Sequence, residues 1–123
     1  MSKKYILSEM GEVVEIDDLK AWAVWFDKSD ASYKAGRPDA RFVARHEVHP
    51  PLGKRAEVST VFLGIDHNFG DGPPLLFETM IFGGKYDNWQ DRYATREEAL
   101  AGHEAAIRMV EGPFRWLRIW AKH

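Results

Sequence analysis

The densest group of polar side chains lies in the segment from Asp66 to Pro74, where carboxylate, amide and imidazole groups stand beside glycines and prolines. Such groups ligate cations, and glycine permits backbone shapes in which amides converge. The spacing departs from the calcium-loop pattern, because Gly70 stands where a third oxygen ligand belongs and no Glu completes the loop. We therefore predict no metal and no cofactor, and a stiff surface loop that contributes to binding. Its predicted binding residues are Asp66, His67, Asn68 and Asp71.

Two further titratable residues, His103 and Glu78, lie within predicted elements and could serve an enzyme. His103 falls in the apolar stripe of a helix, where an imidazole needs a hydrogen-bond partner, and we predict a satisfied core histidine. Glu78 lies on a strand, either on a solvated face or in apolar surroundings that would raise the pKa of its carboxyl and suit acid–base chemistry. These alternatives stay open at this point.

A particular strand pairing would bring Glu78 into a site with other polar groups. Pairing Ile65 with Leu75 places Glu78 diagonal to Thr60, with His46 on the same face of the next strand. A slip of one residue would move every side chain to the other face. The predicted Glu/His/Thr site depends on that register.

The motifs of common enzyme classes are missing from the sequence. There is no G-x-S-x-G elbow, P-loop or dinucleotide fingerprint, and His103-Glu104 lacks the second histidine of a zinc protease helix. The absence of cysteine excludes disulfides, thiolate zinc sites and a cysteine nucleophile. We leave enzymatic activity uncertain and favour a protein without it; no catalytic residue is assigned.

Five tryptophans are more than the core of a chain of 123 residues needs, so some should anchor a partner. The best candidates lie in the tail, whose conformation, a strand or a helical turn, the pattern does not decide. The alternative, that these rings close an open edge of the core, has about even weight. The predicted tail binding residues are Trp116 and Trp120, with Arg115 and Arg118.

Size, charge and hydropathy narrow the class of protein. A chain of 123 residues with 45% hydrophobic residues is expected to fold as a single domain, residues 1–123. The net charge of −2 gives no basic footprint, so nucleic acid is not an expected partner. No apolar run is long enough for a membrane helix, and the first residues lack a secretory signal. We expect a soluble, cytoplasmic protein.

The hydrophobic pattern predicts two helices around a set of strands. Glu12–Ile16 is a weak strand candidate, and Asp17 or Asp18 can cap a helix whose apolar stripe includes Trp22. That helix should end in the polar segment Ser29–Pro38, which contains Gly36. The other residues of its apolar stripe are Leu19, Trp25 and Phe26.

Four later segments have the pattern of strands. Arg41–Val48 alternates, with Phe42, Ala44, His46 and Val48 on one face. Val58–Ile65 is apolar on both faces and should lie centrally, and Leu75–Phe82 should pair with it across a long loop. Trp89–Ala94 would add a short edge strand. The sum is a three- to four-stranded antiparallel meander in an α+β fold.

The most distinct helix is predicted over Arg96–Glu111. Thr95 and Glu98 form a capping box, in which the Glu98 carboxylate returns to the Thr95 backbone N–H, and Gly112-Pro113 ends the helix. The small residues of this helix should let its backbone approach the sheet closely, so that the helix packs on one face. They are Ala99, Ala101, Gly102, Ala105 and Ala106. Its predicted apolar face comprises Leu100, His103, Ile107 and Val110.

The central block of the sequence, Val58–His67, Gly70–Pro74, Leu76–Met80 and Phe82–Gly84, with Tyr93–Thr95 and Gly102-His103 downstream, resembles a family of short proteins encoded by bacteriophages and prophages. The resemblance covers roughly residues 41–110. It implies a viral or prophage setting within a bacterial cell and assigns no chemistry.

Together these features favour a binding protein. We expect a phage accessory factor that occupies a surface of a bacterial host or phage protein, with inhibition of a defence system or host enzyme as its effect. Two alternatives remain: a small hydrolase or transferase using Glu78, His46 or His103, and a structural or assembly component that forms a symmetric oligomer such as a homodimer.

Overall fold

The computed structural model describes residues 3–34, 41–68 and 70–113, with side chains in the first range as far as Ser29. It confirms the α+β class and adds a strand, β1, that the sequence analysis did not predict. In chain order the elements are β1 (Lys4–Leu7), β2 (Val13–Ile16), α1 (Leu19–Lys34), β3 (Phe42–Val48), β4 (Ala56–Phe62), β5 (Phe77–Phe82), β6 (Gln90–Tyr93) and α2 (Arg96–Glu111).

The strands form two antiparallel sheets. Strands β1 and β2 make a hairpin, and the other four form the predicted meander in the order β3-β4-β5-β6. The central position predicted for the Val58 strand is confirmed, since β4 lies between β3 and β5. Helix α2 contacts all four strands of the meander and covers one face. Neither helix, within the described residues, is long and apolar enough to cross a membrane.

Helix α1 begins at the predicted cap and joins the two sheets. The Asp18 carboxylate accepts hydrogen bonds from the backbone N–H groups of Lys20 and Ala21, at 2.9 and 3.2 Å. The Trp22 indole N–H donates to the carbonyls of Tyr5 and Gly64, both at 3.2 Å, which fixes α1 against the hairpin and the end of β4. The helix ends at Lys34, within the predicted polar segment Ser29–Pro38, and residues 29–34 contain no Gly or Pro that would break it earlier.

A β-bulge changes the predicted alternation of β3. Phe42 pairs with Val61 and Ala44 with Thr60, so Val43 is an extra residue. Val43 therefore packs against the core under α2, whereas Phe42 turns to the opposite face of the sheet together with Val61. The prediction that Phe42 shares a face with Ala44 was wrong for this reason.

Strands β4 and β5 supply the centre of the core. Phe62 faces Phe77, and Val58 faces Ile81; all four side chains are buried. Strand β4 ends at Phe62, short of the predicted Ile65, because the chain turns at Gly64, whose φ of 81° is accessible mainly to glycine. The loop that follows places β5 from Phe77 onward rather than from Leu75.

Helix α2 has the predicted bounds and stop, with two differences in detail. Thr95 accepts from the Glu98 N–H at 3.1 Å, but the Glu98 carboxylate bonds to the Thr95 hydroxyl rather than to its N–H. The buried line consists of Ala99, His103 and Ala106, so the predicted Leu100 lies one position off it and is 42% exposed.

Helix α2 approaches the sheet closely at Gly102, one of the five small residues for which a close approach was predicted. A Cβ atom at this position would lie 2.2 Å from the hydroxyl oxygen of Tyr93, on β6. Any side chain there would overlap the tyrosine, which is itself buried. The missing side chain thus sets the distance between helix and sheet.

Candidate functional site

The predicted tail site lies outside the described residues. Trp116, Trp120, Arg115 and Arg118 all follow Pro113, the last described position. Their role in binding stays a prediction.

The polar loop uses its own groups to hold its shape. The Asp66 carboxylate accepts from the N–H groups of Asn68 and Leu75, at 2.7 and 2.9 Å, and the Asn68 amide donates to the carbonyls of Asp71 and Pro73. These bonds are typical of a side chain that replaces backbone pairing in a turn. Across the described parts of the chain, the residues contain no group of three or more His, Asp or Glu side chains placed to hold a metal.

Glu78 does not meet Thr60 and His46. Thr60 pairs with Thr79 and Val61 with Glu78, one residue away from the predicted register. The slip puts Glu78 on the face opposite α2, where its carboxylate accepts a hydrogen bond of 2.9 Å from Arg92. The predicted Glu/His/Thr site is therefore wrong in its carboxylate.

The histidine and threonine of that prediction do come together, but they meet His103 of α2 instead of Glu78. His46 Nδ1 lies 2.8 Å from His103 Nε2, and His103 Nδ1 lies 2.7 Å from the Thr60 hydroxyl. That hydroxyl is 2.6 Å from the hydroxyl of Thr79. A chain of hydrogen bonds thus runs from His46, an exposed residue on β3, to the centre of the sheet.

Burial and charge keep His103 neutral. It is 1% exposed, and the pKa of its imidazole is lowered first by burial and then by the neighbouring His46, against a smaller opposite effect of Glu104. A neutral imidazole donates through one nitrogen and accepts through the other, which suits a position between a histidine and a threonine. Thr60 and Thr79 are fully buried, so a substrate cannot reach them. The network serves packing, in agreement with the predicted core histidine.

The face of the sheet opposite α2 carries an open groove of 610 Å³. Its floor is formed by alternate residues of β4, Glu57, Ser59 and Val61, and continues to Leu63. Phe26 of α1 and the displaced Phe42 lie along it, and Phe82 is 45% exposed at its other side. A second groove of 410 Å³ shares Arg45, Glu57 and Phe82 with the first.

Charged side chains surround the apolar part of this face. Arg45 forms an ion pair with Glu57, and Arg55 with Glu47 at 2.7 Å. The Arg41 guanidinium lies 4.2 Å from the centre of the Phe26 ring, a cation–π contact. An apolar centre inside a polar rim is the usual arrangement of a protein-binding surface.

His67 is the one predicted loop residue that lines the groove. Its Nδ1 lies 2.8 Å from the carbonyl oxygen of Ile65. Because a carbonyl only accepts, Nδ1 must carry the proton, and a neutral ring then has its lone pair on Nε2. His67 can therefore offer an acceptor to a ligand.

Comparison with known proteins adds no relative. No family model, curated protein or solved structure matches the chain. The function must therefore be argued from the geometry.

The groove was not predicted from the sequence, because the position of Phe42 in it depends on the bulge in the β3–β4 register. The alternation of Glu57, Ser59 and Val61 is visible in the sequence, but the bulge that turns Phe42 toward them is not. A bulge without glycine leaves no strong local signal.

Proposed function

We propose that this protein acts by binding another protein through the open face of its four-stranded sheet. The observation that carries the proposal is the groove along β4, where Phe42, Val61 and Phe82 lie between charged side chains. Phe82 is 45% exposed on this face, and a partner that covers it would bury its apolar surface. Such burial favours association.

The distribution of titratable groups favours binding over catalysis. An acid–base site needs such groups to converge where a substrate can reach them. His103, Thr60 and Thr79 are sealed under α2, and Glu78 is held by Arg92 on the other face. The hydrolase or transferase alternative therefore has less support among the described residues.

The resemblance to phage and prophage proteins supplies the proposed setting. We place the protein in the cytoplasm of a bacterial cell, where its partner would be a host or phage protein. Covering a surface of that partner would block a defence system or a host enzyme. The tail residues Trp116 and Trp120 would then add to the same interaction or form a second one.

The test is affinity capture from bacterial and phage-infected lysates, followed by binding measurements with the purified partner. We expect Val61→Lys with Phe82→Ser to weaken binding by at least about tenfold, because both side chains lie in the groove. Leu100→Ser is the matched control. The exposed fraction of Leu100, 42%, is similar to the 45% of Phe82, but Leu100 lies on α2 and not in the groove. It should change affinity by less than about twofold.

Two results would contradict the proposal. One is a partner that binds the groove variant and the wild type equally well; the other is a lack of any partner in all lysates. A mass measurement by size exclusion distinguishes self-association from binding of a different protein. A homodimer formed through this face would be seen in the wild type and lost in the variant.

A further inference from the structure

We infer that the groove takes an extended polypeptide segment of about six residues, which lies along β4 and places a hydrogen-bond donor at His67. This inference rests on the proposed function and specifies the partner. It depends on the length of the groove, on its open side and on the chemistry at its two ends.

The groove has the length of a short strand. Its floor runs from Glu57 to Leu63, and at the rise of an extended chain six residue steps span about 20 Å. Sites for small molecules enclose most of the ligand surface. This groove is open to solvent along the sheet face, so it can cover one side of an occupant and leave the other exposed. An extended segment fits both properties.

The groove offers apolar contacts at two places. Val61 of β4 and Phe42 of β3 pair with each other toward the Leu63 end, whereas Phe82 of β5 pairs with Glu57, four residues back along β4. An extended segment directs every second side chain toward the same face. Two apolar residues four positions apart would therefore contact these two places, while alternate residues face solvent.

The ends of the groove differ, which gives the occupant a direction. At one end Arg45 and Glu57 form an ion pair whose side chains are 51% and 32% exposed. At the other end the His67 ring donates through Nδ1 to the carbonyl of Ile65, which leaves Nε2 of the neutral ring as an acceptor. A hydroxyl, amide or ammonium group of the occupant satisfies that acceptor, whereas a carboxylate does not.

The experiment is selection of random linear peptides displayed against the immobilised full chain. We expect selected peptides to share two apolar residues four positions apart and a Ser, Thr, Asn, Gln or Lys toward one end. A synthetic peptide of that sequence should bind Val61→Lys at least about tenfold more weakly than wild type. Leu100→Ser should bind it as wild type does.

The donor at His67 is tested by a double-mutant cycle with the same peptide. Replacing the donor residue of the peptide by Ala should weaken its binding to the wild-type protein by about three- to tenfold. The same replacement should change its binding to the His67→Phe variant little, because that variant has no acceptor. His67→Gln, whose side-chain carbonyl can accept in place of Nε2, should restore part of the preference. This second variant guards against a folding defect in His67→Phe.

The outcomes separate this inference from the proposed function. If binding of the selected peptides requires Val61 but is unchanged in the His67 variants, the inferred hydrogen-bond donor is wrong. If no linear peptide is selected while a captured protein still requires Phe82, the extended segment is wrong and the proposed function stands. If neither peptide nor protein requires the groove, both fail.

Discussion

The two faces of the four-stranded sheet satisfy their polar groups in different ways. Under α2, His103, Thr60 and Thr79 bond only to protein groups and are almost fully buried. On the open face, the pairs Arg45–Glu57 and Arg92–Glu78 remain partly in contact with water. A buried polar group depends on its partner, whereas a hydrated ion pair can exchange its partner for water.

This difference assigns separate roles to the faces. Substitutions under α2 should change the free energy of unfolding strongly, because the lost contacts cannot be replaced by solvent. Substitutions on the open face should change it little and act mainly on binding. Four changes test this contrast, in order of decreasing expected effect.

Gly102→Ala should have the largest effect. The new Cβ would lie 2.2 Å from the Tyr93 hydroxyl oxygen, so helix or ring must shift. We expect a loss of about 2–3 kcal/mol in the free energy of unfolding, although alanine favours helix by about 1 kcal/mol. Urea denaturation measures this loss, with Glu104→Ala on the exposed side of α2 as control. A variant as stable as wild type would show that α2 does not sit tightly on β6.

Thr60→Val should cost about 1–2 kcal/mol, because it removes the hydroxyl shared by His103 and Thr79 at nearly constant volume. Adding Thr79→Val should cost less than Thr79→Val does alone, since its partner is already gone. Denaturation of the three variants gives the coupling. Strictly additive losses would argue against a continuous network.

Stability should also depend on pH through His103. The pKa of the folded His103 is lowered, so at mildly acid pH the unfolded chain binds the proton more readily than the folded chain does. The free energy of unfolding should therefore fall as the pH drops below about 6.5. His46 on β3 and Glu104 on α2 are the titratable neighbours that act on this group. His103→Gln should flatten the profile; an unchanged slope would assign it to other groups.

Glu78→Gln should have the smallest effect, below about 1 kcal/mol. It weakens the pair with Arg92, whose side chain is 36% exposed against 13% for Glu78. Thermal unfolding at low and high salt measures the change, and salt should reduce the difference between variant and wild type. A loss as large as that of Thr60→Val would remove the contrast between the two faces.

The sequence predicts those parts of the fold that local chemistry determines. Thr95, Glu98 and Gly112 mark both ends of α2, and the apolar runs of β4 and β5 identify the central strands. The strand β1 escaped prediction because it has only four residues, and the loop that joins it to β2 contains a single strong turn residue, Gly11. Short strands depend on their partners more than on their own composition.

The candidate site shows where such prediction ends. His46, Thr60 and His103 were each identified as chemically notable, but their meeting requires both the β3–β4 register and the rotation of α2. The register between β4 and β5 differed from the predicted one by a single residue, which was enough to exchange Glu78 for Thr79. Side-chain periodicity determines which residues of one strand lie on the same side of the sheet. It does not determine which residues of the neighbouring strand they pair with.

The extra residue at Val43 divides the aromatic side chains between the two sides of the sheet. If β3 kept Val43 without the bulge, regular alternation would put Phe42 on the same face as Ala44 and direct its ring into an interior already filled by Phe62 and Phe77. The bulge at Val43 thus keeps the Phe42 ring out of the interior and places it on the open face of the sheet.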